Sequence, residues 1–161
     1  MVAQDENERW ERLVAELQRE IEEKERALYS AKVLEQVHNP QHLGRMEAPD
    51  AHGVLTGWCG DTMEIYLRLN GPIIQRATFM TDGCGPSVAS GNMLARLVQG
   101  LTLDEANRIS PQDLLLALDG LPEDSTHCAE LAVNTLRKAL AEREQGADAG
   151  RSIRPLLHPT G

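Results

Sequence analysis

The first part of the chain carries the hydrophobic pattern of a long amphipathic helix. Residues 5–36 are rich in Asp, Glu, Lys and Arg and contain no Gly or Pro, which favours helix throughout. Their apolar residues recur in alternating steps of four and three, and Lys24 alone interrupts the seam. The seam consists of Trp10, Val14, Leu17, Ile21, Leu28 and Ala31. We predict an N-terminal helix within residues 1–37 that either forms a coiled coil or packs on the body.

The next part of the chain has the pattern of a small antiparallel sheet. Residues 39–53 contain turn-forming residues and predict an irregular connection. Residues 54–58 and 62–69 predict strands, and in the second of these apolar and polar side chains alternate strictly. Asn70-Gly71 favours a tight turn, so the apolar run Ile73–Thr81 should return antiparallel to the strand before it. Three strands would form a meander.

From residue 86 onward the apolar positions follow a helical period. A stripe of apolar side chains predicts a helix over residues 86–99, ended by Gly100. Thr102 and Glu105 match a capping box, and Ser110 followed by Pro would begin a short Leu-rich helix. A last helix is predicted from Ser125 or Thr126 to about Gln145.

These elements predict the fold class and the domain limits. The fold is α+β: a small antiparallel three-stranded sheet packed by helices, occupying residues 38–145 and preceded by the long N-terminal helix of residues 1–37. Residues 146–161 contain Gly, Pro and Arg and little to bury, so we expect a flexible C-terminal tail.

The net charge narrows the range of partners. The chain holds 25 Asp and Glu against 16 Lys and Arg, a formal charge of −9. This is the wrong sign for binding nucleic acid or an anionic membrane. The N-terminal residues contain no apolar run of signal-peptide length, and no stretch approaches the roughly 18 apolar residues of a membrane span. We expect a cytoplasmic protein.

The three cysteines direct attention to metal or thiol chemistry. Their odd number and wide separation argue against a disulfide framework. Cys59 lies at the predicted turn between two strands, Cys84 lies between two glycines just before a helix, and Cys128 lies in the first turn of the last helix. Backbone N–H groups at such places stabilise anions, so each sulfur is expected to be exposed and to favour the thiolate.

Two further residues could complete a metal site. His127 precedes Cys128, and Asp61 follows Cys59 by two positions. Three thiolates with one imidazole or one carboxylate are a complete ligand set for zinc or an iron-sulfur cluster. Taken alone, each cysteine could be a small core residue, His127 a surface residue and Asp61 a turn residue. Spacing alone does not decide between these interpretations, because there is no C-x2-C pair.

Together the motifs resemble the IscU/NifU-type iron-sulfur scaffold family. The resemblance rests on Asn39-Pro40, Cys59-Gly60-Asp61, Gly83-Cys84-Gly85 and His127-Cys128, in the same order and at similar spacings. It implies a cluster, 2Fe-2S or 4Fe-4S, held by the three cysteines with Asp61 or His127 as the fourth ligand. It also implies that Cys128 accepts sulfur from a cysteine desulfurase, and that the protein passes its cluster to apo iron-sulfur proteins rather than acting as an enzyme.

The chain also departs from that family. Where many members carry LPPVK, a site resembling one recognised by DnaK-type chaperones, this chain reads Leu121-Pro122-Glu123-Asp124-Ser125, which puts such a chaperone partner in doubt. Pro86 and Ser87 follow the Gly-Cys-Gly motif where small and aliphatic residues are expected. The N-terminal helix has no counterpart in the minimal family, and we favour self-association of this helix into a dimer or trimer.

Two alternative functions use the same ligands. One is a zinc-bound sulfur acceptor or transferase of the same fold, in which Cys59 or Cys128 exchanges on and off the metal. The other is a structural zinc module that uses the N-terminal helix to assemble a complex. Zinc could also occupy the ligands of a scaffold after aerobic isolation, because thiolates and imidazole suit both metals.

Overall fold

The computed structural model describes the backbone of residues 2–152 and the side chains of residues 2–146. In chain order, the helices and strands are α1 (Val2–Leu28), α2 (Ala31–His38), β1 (Ala51–Thr56), β2 (Thr62–Asn70), β3 (Ile73–Thr81), α3 (Gly85–Val98), α4 (Leu103–Asn107), α5 (Pro111–Ala117), a 3-10 turn (Glu123–Ser125) and α6 (His127–Ser152). The α+β class and the three-stranded antiparallel sheet are confirmed. Within the described range, no helix combines the length and the apolar composition needed to cross a bilayer.

The sheet has the strand order β1-β2-β3, and both pairs are antiparallel. Met63, Ile65 and Leu67 of β2 are buried, as the alternation predicts. Tyr66 was expected on the wet face but is also buried, because the ring of His52 stacks on it with centroids 4.4 Å apart. The hairpin turn is formed by Gly71 and the following Pro, one residue later than predicted, and Gly71 supplies the positive φ of 60°.

Strand β1 begins three residues earlier than predicted and ends earlier too. Ala51 pairs with Leu67 and Thr56 pairs with Thr62, so residues assigned to the irregular connection extend the ladder with β2. The rest of that connection is irregular, as predicted, but part of it pairs with the sheet. Leu43 forms a parallel bridge to Phe79, which occupies part of the otherwise open edge of β3.

The helices cover one face of the sheet. Helix α6 packs on β1 and β2, and α3 packs on β3 and on α6. The buried core lies between these layers and includes Phe79, Leu94 and Leu136. The predicted capping box of Thr102 and Glu105 is present at the start of α4. Helix α6 continues to Ser152, beyond the predicted end, and the remainder of the predicted tail lies outside the described residues.

The predicted single helix over residues 5–36 is two helices. The break falls at Tyr29 and Ser30, where Ser30 is the N-cap of α2 and its hydroxyl accepts a hydrogen bond from the backbone N–H of Val33 at 3.1 Å. Serine favours this position because its side chain satisfies a free helix donor. The same hydroxyl donates to the carbonyl of Leu118 at 2.5 Å, so the break is fastened to the end of α5.

Candidate metal centre

Three side chains from separate parts of the chain converge at one end of the sheet. Asp61 immediately precedes β2, Cys84 is the N-cap residue of α3, and Cys128 is the second residue of α6. A carboxylate oxygen of Asp61 and the two sulfur atoms all lie within 4.8 Å of one another. Cys84 is exposed, Asp61 is half-buried and Cys128 is buried, so the group is open to solvent on one side. Two sulfurs and one oxygen at this spacing suit a zinc ion or the iron of a cluster.

The backbone around Asp61 and Cys84 accounts for their placement. The loop 57–61 is closed by two hydrogen bonds: Gly57 N–H donates to the Asp61 carbonyl at 2.8 Å, and Gly60 N–H donates to the Gly57 carbonyl at 3.0 Å. Gly60 has a φ of 91°, which favours glycine there. Cys84 is extended at its N-cap position, which directs the chain from the end of β3 into α3.

Ser87 belongs to the site and was missed as a functional residue. Its fully buried hydroxyl lies 3.1 Å from a carboxylate oxygen of Asp61 and 3.4 Å from the sulfur of Cys128. Gly83 makes room for this contact, since a Cβ there would come within 2.6 Å of the Ser87 hydroxyl oxygen and 2.7 Å of the Asp61 carboxylate. The sequence shows the serine only as a departure from the family pattern, so its contact with both Asp61 and Cys128 could not be predicted.

Cys128 differs from the exposed thiolate that the sequence predicts. Its side chain is only 1% exposed. Burial raises the pKa of its thiol to about 11, and the nearby Cys84 and Asp61 also raise it, whereas the hydrogen bond from Ser87 opposes the shift. The prediction of an exposed, ionised sulfur is therefore wrong for Cys128, because the first turn of α6 faces the core. The exposure predicted for Cys59 and Cys84 is confirmed.

The buried thiol leads to a prediction about alkylation. We expect iodoacetamide to alkylate Cys59 and Cys84 first and to leave Cys128 unmodified at pH 8, because the Cys128 thiol is both inaccessible and protonated. The rate at Cys128 should keep rising as the pH approaches 11. Mass spectrometry of the proteolytic peptides would measure each rate, with the unfolded chain as a control in which the three sites react alike. Equal rates in the folded protein would contradict this description.

Cys59 and His127 flank the convergent group rather than joining it. Cys59 is exposed on the loop 57–61 and is not part of the donor set described above. The His127 ring nitrogen Nε2 lies 3.7 Å from the sulfur of Cys128. Trp58 is 84% exposed, and its ring contacts that of His127 with centroids 4.8 Å apart. Trp58 is therefore not a core aromatic, and its contact joins the Cys59 loop to the start of α6.

Tyr29, at the break between α1 and α2, also faces this end of the domain. Burial raises the pKa of its phenol, and Cys84, Asp124 and Cys128 raise it further when they are ionised. The tyrosine is half-buried. It was not identified from the sequence because residues 5–36 were assigned to one continuous helix. The signal that could have revealed it is Ser30, which favours a helix start rather than a helix interior.

Comparison with known proteins agrees with the geometry. Residues 28–147 match the family described as NifU-like N terminal domain. Iron-sulfur cluster assembly scaffold protein IscU 1 of Archaeoglobus fulgidus is 34% identical over 116 residues, covering 71% of this chain and 76% of the relative. The scaffold protein IscU of Escherichia coli K12 is 34% identical over 127 residues, covering 75% of this chain and 98% of the relative.

Solved structures share the fold. The N-terminal region of a NifU-like protein from Brucella abortus superposes with a TM-score of 0.59 at 22% identity, covering 73% of this chain and 95% of that one. A scaffold protein for the SUF system from Fervidobacterium islandicum gives 0.57 at 21% identity, covering 70% and 96%. The matched segment begins at the end of α1 and includes every candidate ligand. This chain belongs to the NifU-like N-terminal domain family.

Proposed function

We propose that this protein is a scaffold on which an iron-sulfur cluster is assembled and from which it is transferred to apo-proteins. One observation carries the proposal: two thiols and one carboxylate converge in a half-open site within a member of a scaffold family. Thiolates hold iron firmly, whereas a carboxylate is protonated or exchanged more readily. A mixed donor set therefore suits a protein that must both hold and release its cargo.

The proposed ligands are Cys59, Cys84 and Cys128, with Asp61 or His127 in the fourth position. Cys59 would join the group by a movement of the exposed loop 57–61, since it lies only two residues from Asp61. His127 would approach from the start of α6, where its ring nitrogen already lies 3.7 Å from the Cys128 sulfur. The cluster would be a 2Fe-2S or a 4Fe-4S centre.

The proposed partners follow from this chemistry. A cysteine desulfurase would supply sulfur, and apo iron-sulfur proteins would receive the cluster. For Cys128 to accept sulfur, its thiol must first become exposed and lose its proton. Metal binding promotes the loss of the proton, because the ligand form of cysteine is the thiolate. The thiolate then attacks the terminal sulfur of the desulfurase persulfide, and the desulfurase cysteine leaves as a thiolate. Reduced thiols of this kind persist in the cytoplasm, which is the compartment we propose.

Anaerobic reconstitution tests this proposal. We expect the full chain with ferric and ferrous iron and sulfide to gain visible charge-transfer absorption, to retain iron and acid-labile sulfide in equal amounts, and to pass both to an apo-ferredoxin. Cys84→Ala and Cys128→Ala should each lose most of the bound iron, because each removes a thiolate ligand. Ser90→Ala is a matched control, because Ser90 is buried in α3, the helix that begins after Cys84. Its hydroxyl donates to the Pro86 carbonyl and not to the candidate ligands. A colourless protein that binds only zinc would contradict the proposal.

A further inference from the structure

Helix α1 presents a long apolar seam that the described part of the protein leaves uncovered. None of its residues is fully buried. Trp10 is 64% exposed, Leu17 is 50% exposed and Ile21 is 58% exposed. Its main packing partner is the short helix α2, at its C-terminal end. Because an isolated helix gains little stability from hydrogen bonds alone, a seam of this length needs a partner to cover it.

The residues of the seam favour pairing with a single helix. Its steps of four and three place Val14 and Ile21 at position a of a heptad and Leu17 at position d. Beta-branched residues at a with leucine at d favour two-stranded, parallel coiled coils over larger bundles. Lys24 occupies a d position, where a polar or acidic residue of the partner would be needed.

Charges along α1 are separated between its faces. The heptad positions e and g, which border the seam, carry four glutamates and no basic residue. The far face carries arginines in successive heptads. The flanking residues, which we call the acidic flanks, are Glu6, Glu11, Glu20 and Glu25. The arginines of the far face are Arg12, Arg19 and Arg26.

The ion pairs of α1 lie mainly away from the seam. Arg12 pairs with Glu8 at 3.5 Å, and Arg26 pairs with Glu22 at 3.8 Å, one turn along the helix in each case. Among the described residues, none of the acidic flanks pairs with Lys or Arg. Glu25 contacts the ring of His38 at 3.0 Å, and Glu11 accepts a hydrogen bond from the side chain of Asn7 at 3.2 Å. The charges that border the apolar seam are thus largely available for an external partner.

The acidic flanks oppose pairing of α1 with a second copy of itself. In a parallel pair, position g of one helix faces position e of the other, which would place Glu6 against Glu11 and Glu20 against Glu25. In an antiparallel pair, like positions meet, and half of the residues at these positions are glutamates. Like charges across such an interface are unfavourable. The self-association expected from the seam alone is therefore opposed by its flanks.

We propose that α1 docks a helix of another protein whose own apolar seam is flanked by Lys and Arg. Both features of α1 are then satisfied together: the partner covers the seam, and its basic residues face the acidic flanks. Because α1 lies almost entirely before the segment that matches the family, this docking is separate from the cluster chemistry of the body. It would recruit the body to a chosen partner through a site distant in sequence from the ligands.

Two synthetic peptides serve as probes. Both have the heptads of α1 with Ile at a and Leu at d, but one carries Lys and the other Glu at every e and g position. We expect the full chain at low salt to bind the Lys peptide at least about tenfold more tightly than the Glu peptide, as measured by calorimetry, and the difference to shrink as salt is added. Sedimentation of the full chain alone at tens of micromolar should show a monomer.

Two triple variants distinguish the effect of the acidic flanks on peptide binding from the effect of the net charge. Glu6→Lys, Glu11→Lys and Glu20→Lys together should reverse the preference between the peptides. The control variant Glu8→Lys, Glu16→Lys and Glu23→Lys changes the net charge by the same amount at positions away from the seam. It should keep the preference for the Lys peptide. Equal binding of both peptides, binding of neither, or self-association of the full chain through α1 would each overturn the proposal. Cluster assembly is not involved in these measurements, so they stand apart from the test of the proposed function.

Discussion

Replacement of Asp61 by alanine should make a bound cluster longer-lived and slower to leave. Asp61 supplies the only oxygen donor of the convergent group, and its carboxylate is half-buried. Without it, the cluster would be held by sulfur and imidazole, which exchange from iron more slowly than a carboxylate does. We expect the half-life in the presence of a chelator to lengthen by about tenfold, a change equal in size to the smaller effects that the partners of metal ligands have on metal affinity.

Two measurements and two control variants define this result. Loss of visible absorbance after adding a chelator gives the lifetime, and circular dichroism follows transfer to an apo-ferredoxin. Asp61→Asn keeps the shape of the side chain and an acceptor for the Ser87 hydroxyl, so it separates the charge from the contact. Asp82→Ala removes an exposed carboxylate that bonds the Thr62 N–H instead, and should change neither rate. Unchanged lifetime and transfer in Asp61→Ala would exclude Asp61 from release.

Asp61, Cys84 and Cys128 were predicted from sequence as candidate ligands and lie together in the structure, but their environment could not be predicted. Asp61 follows a turn in which Gly60 has a positive φ, and Cys84 lies at the start of a helix, and such local geometry can be predicted from the residues themselves. The burial of Cys128 depends on which face of α6 contacts the sheet. The contact of the Ser87 hydroxyl with the Cys128 sulfur depends on α3 and α6 lying side by side. Both are consequences of tertiary packing, which a motif does not report.

The fold shows the same division between local and long-range information. The buried positions Met63, Ile65 and Leu67 of β2 and the capping box at Thr102 were predicted correctly, because each is encoded within a few residues. The break at Ser30 was missed because the helical pattern of residues 5–36 continues through it. Ser30 is a local signal for a helix start, but its contact with Leu118, 88 positions away along the chain, could not be predicted from that signal. The early start of β1 likewise depends on pairing with β2 rather than on its own composition.

The close approach of β1 and α6 at Gly53 carries a large expected effect on stability. Gly53 is buried, and a Cβ built on it would lie 2.6 Å from the carbonyl oxygen of Thr135 and 2.7 Å from the backbone nitrogen of Ala139. Both obstructing atoms belong to the backbone of α6, so no side chain can rotate away to relieve the clash. The helix and the strand must separate, and overpacking of a close-packed interior is costly.

Gly53→Ala should therefore lower the free energy of unfolding by about 3 kcal/mol, the upper end of the usual range for overpacking, and lower Tm by about 10 °C. Thermal and urea unfolding of the metal-free chain would measure both quantities. Gly146→Ala is the matched control: Gly146 lies in α6 with no atom within 4 Å of an added Cβ, so alanine should be neutral or stabilise the helix by up to about 1 kcal/mol. Because α6 carries Cys128, its displacement in Gly53→Ala should also weaken zinc binding at the convergent group. Unchanged stability and unchanged zinc affinity would show that β1 and α6 do not approach each other as closely as described.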